Sequence, residues 1–275
     1  MNDPRETFAN GSVAHVSLKG TIQAQRFSQG TLMRVTVPVA NIHRRPGATA
    51  LERQLLMGAP FRVLETANTC SFGRAENSGY VGYVNPDMLG AWQTPTHRVT
   101  ARTTLLFAAP NMKHPNPTPL PMGAELTITS QESGFCRTAQ GHFIPIAHLS
   151  LLSQTATDPV TVAETLLAAP YLWGGNSAYG IDCSGLVQFA LTQCGLPCPG
   201  DSDQQCRALG TALSANEAPK RGDLMFWKGH VAWLADAETL LHANAHHMAV
   251  AYEPLATALP RIAAQGTPLL AHKRL

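Results

Sequence analysis

The hydrophobic pattern of this chain changes near Ser153, and that change sets its fold class. Before Ser153, short β-type runs such as PFRVLET alternate with Gly, Pro and Asn signals at intervals of about 8–12 residues. After it, apolar residues first recur at helical spacing, and β-type runs return only later. The sequence therefore predicts a β-rich first part and an α+β second part.

The β-rich part contains a weak internal repeat. HRVTARTTLLFAAP resembles the earlier MRVTVPVANIHRRP, and PMGAELTITSQ resembles LMGAPFRVLET. An ordered repeat of this kind indicates tandem modules, here two β-barrels of ~60 residues each. The pattern resembles bacterial SH3-like modules, and one larger β-domain is the alternative.

Two helices open the last part of the chain. Asp158 as N-cap and Pro159 at the first helical position predict a helix that runs until Pro170. A second helix is expected to start at Cys183, after a Gly-rich loop, and to end at Gly195. The runs LMFW, HVAWLA and TLLHANA then predict consecutive strands.

The expected architecture is multi-domain, with two small SH3-like barrels followed by an α+β domain. We place the N-terminal segment and the first barrel at residues 1–95, the second barrel at 96–152 and the α+β domain at 153–275. The chain is long enough for several such domains, with 275 residues and 44% hydrophobic content.

Charge and composition exclude several classes of partner. The formal net charge is +2 and no block of Lys and Arg is present, which argues against nucleic acid. No stretch approaches the ~18 apolar residues of a membrane span. The first residues lack the basic start and apolar run of a secretory signal, so we expect a cytoplasmic protein whose six cysteines are reduced.

Cys183 is the cysteine whose position predicts chemistry. A cysteine in the first turn of a helix lies at the positive end of the helix dipole, which favours the thiolate. The backbone N–H groups of the same turn can bind the negative oxygen of a tetrahedral intermediate. A buried structural cysteine is the usual alternative, but the local context favours a nucleophile.

A thiolate peptidase also needs an imidazole as general base, and 11 histidines compete for that role. If the turn after HVAWLA is centred near Ala237, an antiparallel hairpin places His242 opposite Ala232, on the same face as His230. His230 would then be the base, and His242 would hold its ring in the useful tautomer.

These segments also resemble a known family. PYLWGGNSAYGIDCSGLVQFAL and RGDLMFWKGHVAWLADAETLLHANA are similar to the signature segments of NlpC/P60 cysteine peptidases, over roughly 161–275. With two SH3-like modules in front, the chain resembles γ-D-glutamyl-L-diamino acid endopeptidases, which process murein peptides with a free N-terminal L-Ala. The resemblance implies papain-like catalysis by Cys183, His230 and His242, without metal or cofactor, on peptidoglycan-derived peptides.

The resemblance also implies substrate-binding residues. Tyr171 is expected near the scissile carbonyl, and Asp182 and Ser184 are expected to line the substrate groove beside the nucleophile. In the first SH3-like module, Tyr80 and Glu52 are expected to bind the free amine of L-Ala. A carboxylate opposite a buried ammonium would exclude substrates with a blocked N-terminus. A solvated surface position is the alternative for Glu52.

Two departures and two rival functions accompany the resemblance. Gly200 stands where relatives tend to have Arg in a PRDSxQQ-like segment, and Tyr83 stands in place of Trp in a GYxGW-like segment. One rival is an amidase or acyltransferase of the same fold, and its permuted forms have His before Cys. The other is a catalytically silent wall-binding module.

Two further motifs are set aside. Cys194, Cys198 and Cys206 with His246 and His247 contain no C-x-x-C pair and match no common zinc module. WGGNSAYG lacks the Gly-Lys-Ser/Thr ending of a phosphate loop, and we expect it to let substrate backbone approach Cys183.

Overall fold

A computed structural model describes residues 3–214 and 216–275. The chain forms two compact units, the first ending at Gln154 and the second beginning at Thr155. The division lies two residues beyond the start of the α+β domain expected from the sequence. Within the described residues, no helix has the length and apolar character that crossing a bilayer requires.

The first unit consists of short strands with three single-turn 3-10 helices. The strands are β1 Val13–His15, β2 Arg26–Ser28, β3 Thr31–Val35, β4 Val39–Ile42, β5 Arg53–Leu56, β6 Pro60–Ala67, β7 Cys70–Ala75, β8 Val81–Val84, β9 Leu89–Ala91, β10 His97–Val99, β11 Thr103–Leu106, β12 Thr118–Pro121, β13 Glu125–Leu126, β14 Ile128–Glu132, β15 Phe135–Thr138, β16 Phe143–Pro145 and β17 Leu149–Leu151. The 3-10 helices are Val16–Leu18, Pro86–Met88 and Ile146–His148.

This unit contains two barrel cores. In the first barrel, a five-stranded sheet in the order β8-β7-β6-β3-β9 and the pair β4-β5 enclose Val35, Ile42 and Phe61, all fully buried. In the second, the sheets β13-β10-β17, β11-β12 and β14-β15-β16 enclose a separate cluster around Leu120 and Ile144. Two separate cores confirm the prediction of two SH3-like barrels over that of one larger β-domain.

The N-terminal segment adds a feature that the sequence did not predict. Its strands β1 and β2 pair in parallel. Phe8 and Val13 are buried with Leu64 and Phe72 of the first barrel. The segment is therefore an integral layer of this barrel, stabilised by apolar burial on the outer face of β6 and β7.

The second unit has the α+β architecture that was predicted. Its elements are α1 Pro159–Glu164, β18 Asn176–Ser177, β19 Gly180–Ile181, α2 Cys183–Gln193, α3 Ser202–Ala208, β20 Thr211–Ala212, β21 Leu224–Trp227, β22 His230–Leu234, β23 Thr239–Asn244, β24 Ala249–Pro254, α4 Leu255–Ala264 and β25 Ala271–Arg274. Six strands form one sheet in the order β20-β25-β21-β22-β23-β24.

Helix α1 is shorter than the sequence pattern indicated. Asp158 caps it as predicted, its carboxylate accepting the amide of Val160 at 2.9 Å, but the helix ends at Glu164 rather than near Pro170. The chain then leaves the helix, because Ala168 adopts a left-handed φ of 63° and its amide donates to Val250 on β24. Pairing with the sheet edge overrides local helix propensity here.

Candidate active site

Helix α2 places Cys183 at its first position, with Asp182 as N-cap. One Asp182 oxygen accepts the amide of Gly185 at 2.6 Å and the hydroxyl of Ser184 at 3.0 Å. The other accepts the amide of Gly174 at 2.9 Å. A single buried carboxylate therefore joins the Gly-rich loop to the helix start and fixes the backbone around Cys183.

Glycines make this close approach possible. A Cβ on Gly185 would overlap the carbonyl oxygen of Gly175, and a Cβ on Gly175 would overlap the carbonyl of Gly180. Gly174 adopts a left-handed φ of 74°, which favours glycine. The WGG and DCSG segments therefore pack backbone against backbone, with Cys183 at the junction.

The two histidines lie together on the sheet. Trp233 pairs with Leu241 and Leu234 with Leu240, which centres the turn at Ala237 and confirms the predicted register. The Nε2 atom of His230 lies 2.9 Å from the Nδ1 atom of His242. The Cys183 thiol lies 4.0 Å from the carbonyl oxygen of Gly229, next to His230. The structure thus brings the helix start and the predicted base together.

Both imidazoles sit in surroundings that favour their neutral forms. Burial lowers the pKa of His230 to about 3, with further lowering by His242 and Arg261. Burial also lowers the pKa of His242 to about 4, although Glu253 opposes this shift. Trp227 covers His230 with a ring-centroid distance of 5.5 Å. A neutral imidazole is the form that can accept the thiol proton.

Beyond His242, the structure shows two charged residues that sequence reasoning missed. Glu253 on β24 is buried, and its Oε2 atom lies 3.1 Å from the Nε2 atom of His242. Arg261 on α4 donates to both oxygens of Glu253, at 2.8 and 2.7 Å. The strand pattern AVAYEP offered a weak signal, since its alternation puts Glu253 on the same face as Ala251, the cross-strand partner of His242.

The same neighbourhood could bring three metal-ligand atoms together. In the described part of the chain, ligand atoms of His242, His247 and Glu253 lie within 4.8 Å of one another. The Arg261 guanidinium already occupies both Glu253 oxygens, and its positive charge opposes a metal cation at this position. The donor set therefore fits an imidazole–carboxylate–guanidinium chain better than a metal centre.

Three further residues contact the segments that position the nucleophile or lie beside it in the sequence. Tyr171 is half-buried, donates its amide to Met248 and forms a bridge with Ile181 of β19. Ser184 is buried beside Cys183, and its carbonyl accepts a 2.8 Å hydrogen bond from the Gln205 side chain. Gln205, from the QQ pair of α3, therefore supports the first turn of α2, a role the sequence analysis did not assign.

Tyr80 and Glu52 lie in the first unit and line one cavity of about 210 Å³. Tyr80 is buried and Glu52 is half-buried. Arg5 and Arg44 line the same cavity, but the charge of Arg5 is neutralised by Asp3 at 2.6 Å. The cavity therefore brings the two predicted amine-binding residues together in one place.

Family models match both units. Residues 168–261 match the NlpC/P60 family model, and residues 42–89 match the model of the bacterial dipeptidyl-peptidase Sh3 domain. The second unit carries an NlpC/P60 domain. The first unit carries the dipeptidyl-peptidase SH3 domain, and the NlpC/P60 domain makes the chain a peptidase.

Relatives and solved structures agree with this assignment. The chain is 27% identical to a gamma-D-glutamyl-L-lysine dipeptidyl-peptidase of Bacillus cereus, over 76% of this chain and 72% of that protein. It is 29% identical to the Bacillus subtilis enzyme of the same name, over 43% of this chain and 44% of that one. The crystal structure of an NlpC/P60 family protein from Bacillus cereus shares the fold, with a TM-score of 0.76, 20% identity and coverage of 89% of this chain and 99% of that one.

Proposed function

We propose that the protein hydrolyses the amide bond between γ-D-glutamate and the L-diamino acid of peptidoglycan stem peptides. The observation that carries the proposal is Cys183 at the start of α2, beside the hydrogen-bonded pair His230 and His242. The substrate class rests on the two Bacillus relatives, whose names specify a γ-D-glutamyl-L-lysine bond.

Acylation follows from the geometry of the helix start. His230 takes the proton of the Cys183 thiol, and the thiolate attacks the γ-carbonyl carbon of the glutamate. The α2 N-terminus stabilises the negative oxygen of the tetrahedral intermediate, with the half-buried Tyr171 as an additional donor. His230 then protonates the departing amine of the diamino acid, which leaves a thioester on Cys183.

Deacylation uses the same residues, with water as the nucleophile and Cys183 as the leaving group. His230 takes a proton from water, and the resulting hydroxide attacks the thioester carbonyl. The tetrahedral intermediate collapses with Cys183 as the leaving group, which regains a proton from His230. The products are L-Ala-γ-D-Glu and a peptide or amino acid that begins with the diamino acid.

Tyr80 and Glu52 define the end of the substrate in this proposal. The Glu52 carboxylate binds the free ammonium of L-Ala, and the Tyr80 hydroxyl supplies a second polar contact. An acetylated N-terminus would leave Glu52 without its cationic partner, which disfavours blocked stem peptides. The enzyme would thus be a dipeptidyl-peptidase that acts on peptides already released from the glycan.

Product analysis by mass spectrometry tests this function. The substrates are L-Ala-γ-D-Glu-L-Lys and L-Ala-γ-D-Glu-diaminopimelate, each also in N-acetylated form. We expect L-Ala-γ-D-Glu from the free peptides alone, and a loss of at least about 10³-fold in kcat for Cys183→Ala. Cys206→Ala, which removes the half-buried thiol of α3 in the same unit, is the matched control and should retain activity.

A second pair of variants tests the amine site. Glu52→Gln should lower kcat/KM for the free peptides by about 10- to 100-fold, since a charge-assisted hydrogen bond is lost. Glu132→Gln, an exposed glutamate of the same unit, should leave kcat/KM unchanged. Equal cleavage of free and acetylated peptides would refute the amine site. No cleavage of any peptide, with binding to intact sacculi that survives Cys183→Ala, would favour a wall-binding module.

A further inference from the structure

An ion pair between the buried Glu253 and the half-buried Arg261 ends the series of contacting side chains that starts at His230, the proposed general base. His242 is fully buried and Glu253 is 5% exposed, so their contact at 3.1 Å is shielded from water. Arg261 reaches Glu253 because α4 begins directly after β24 and folds back on the sheet, with Ala258 and Ile262 buried against it. The order of contacts is His230, His242, Glu253, Arg261.

The hydrogen-bonding capacities in this chain determine where the protons lie. The hydrogen bonds from Arg261 keep Glu253 ionised, with its pKa below the ordinary value, and a carboxylate can only accept. The Nε2 atom of His242 must therefore carry a proton. Because His242 is neutral, its Nδ1 atom has a lone pair and accepts from the Nε2–H group of His230. The neutral His230 then has its lone pair on Nδ1.

We propose that Glu253, held by Arg261, is a positioning residue that sets the tautomer of His230 through His242. The inference rests on the proposed function insofar as His230 is the general base. The Nε2 atom of His230 is occupied by His242, so Nδ1 is the atom that accepts the proton of Cys183. In the opposite tautomer Nδ1 would carry a hydrogen and could not act as base.

Arg261 determines how the pair acts. An unpaired carboxylate would favour a positively charged His242, whose Nδ1–H would donate to His230 and impose the wrong tautomer there. Arg261 neutralises Glu253 and lowers the pKa of His242, which keeps that imidazole neutral. The pair therefore acts by orienting protons and rings rather than by adding net negative charge to the site.

A purely structural role is a poorer account of the pair. Burying the Glu253 carboxylate and part of the Arg261 side chain costs desolvation energy that an apolar pair of similar volume would avoid. The side chains around Arg261, including Ala258 and Leu259, already supply apolar packing between α4 and the sheet. An apolar pair could not provide an acceptor for the Nε2–H group of His242, whereas Glu253 does.

The test combines kinetics with imidazole ¹⁵N NMR of the full-length enzyme, the signals being assigned with His230→Asn and His242→Asn. In the wild type, both rings should carry their proton on Nε2. In Glu253→Gln an NH2 donor replaces one of the two oxygens that accept from Arg261 and His242, so the three contacts cannot all be kept. Where the NH2 group faces His242 it donates to Nε2, so we expect Nδ1–H tautomers and a 10- to 100-fold lower kcat, with KM changed less than about twofold. Glu164→Gln, which alters another arginine-paired glutamate of the same unit, is the matched control and should change neither.

A double variant covers the case in which Glu253→Gln does not fold. Glu253→Met with Arg261→Met removes both charges, so no charge stays buried without a partner, and it should show the same tautomer change and loss of kcat. Wild-type rings with Nδ1–H, or unchanged tautomers and kcat in the variants, would overturn the proposal. If the wild type cleaves no stem peptide, the proposed function fails, while the tautomers still decide this inference independently.

Discussion

At the residue scale, Asp182 holds the Gly-rich loop against the start of α2, in addition to the groove-lining role expected from its place beside the nucleophile. Its two oxygens accept from Gly185, Ser184 and Gly174, so an amide in its place must lose at least one of these contacts. We expect Asp182→Asn to lower the free energy of unfolding by about 1–3 kcal/mol, measured by urea denaturation. Because the helix start shifts, kcat should fall as well.

Helix α3 offers the control for this prediction. Asp201 caps α3 in a capping box with Gln204, at a more exposed position than Asp182. Asp201→Asn should cost only a few tenths of a kcal/mol, because asparagine is about as good an N-cap as aspartate. Equal losses in the two variants would show that Asp182 acts as an ordinary cap, without the additional role of holding the loop.

The sequence allowed part of this site to be predicted. Cys183, His230 and His242 could be identified because a helix start and a hairpin register are local properties, and the register proved right. Glu253 and Arg261 could not, since their contact requires α4 to fold back on β24. Side chains joined only by tertiary packing leave no periodic trace in the sequence.

At the scale of elements, the last strand depends on one buried carboxylate. Asp223 is 1% exposed and accepts from Arg274 at 2.7 Å and from His272 at 2.8 Å, both on β25. We expect Asp223→Ala to lower the free energy of unfolding by about 1–3 kcal/mol, because β25 loses charge-assisted hydrogen bonds to a buried carboxylate while Arg274 stays partly solvated. Urea denaturation measures the loss. Arg207→Gln, in an exposed pair on α3, should cost under about 0.5 kcal/mol.

Strand β25 is an element that the apolar pattern of the sequence did not predict. The strands β21, β22 and β23 follow from apolar runs and a turn, and the structure confirms them. The sequence AHKR lacks apolar alternation, yet β25 lies between β20 and β21 in the sheet. Its position depends on backbone pairing with β20 and β21 and on contacts with Asp223. Apolar periodicity therefore gives no signal for this strand.

At the scale of the whole molecule, the two units combine acidic groups with different pKa shifts. In the second unit, burial would raise the pKa of Asp223, but hydrogen bonds led by Arg274 outweigh it and place the pKa below its ordinary value. The pKa of Glu253 is lowered as well. In the first unit, burial raises the pKa of Glu125, while a hydrogen bond from Arg26 lowers the pKa of Glu65. The contributions of these two groups to the pH dependence of stability therefore have opposite signs.

These shifts predict that the second unit is the more sensitive to acid. A carboxylate with a lowered folded pKa stabilises the fold fully above its unfolded value, near 3.8 for Asp and 4.5 for Glu, and this stabilisation is lost as pH falls through the folded value. A carboxyl with a raised folded pKa, such as Glu125, stabilises the fold more as pH falls, because the folded state binds its proton first. The neutral His230 and His242 act in the same direction, because their folded pKa values of about 3 and about 4 lie below the unfolded value of 6.5, so acidification favours the unfolded state. The second unit should therefore lose stability as pH falls below 6.5 and unfold at a higher pH than the first unit.

Tryptophan emission can separate the two units in a single titration. Three of the four tryptophans lie in the second unit, and two of them, Trp227 and Trp233, are buried. Emission should therefore change at a higher pH than the far-UV circular dichroism, which reports both units. Asp223→Asn removes one titrating group, so the stability of that variant, though lower at neutral pH, should fall less steeply with acid. Coincident transitions, with the same pH dependence in the variant, would show that the paired carboxylates do not set the acid limit of this unit.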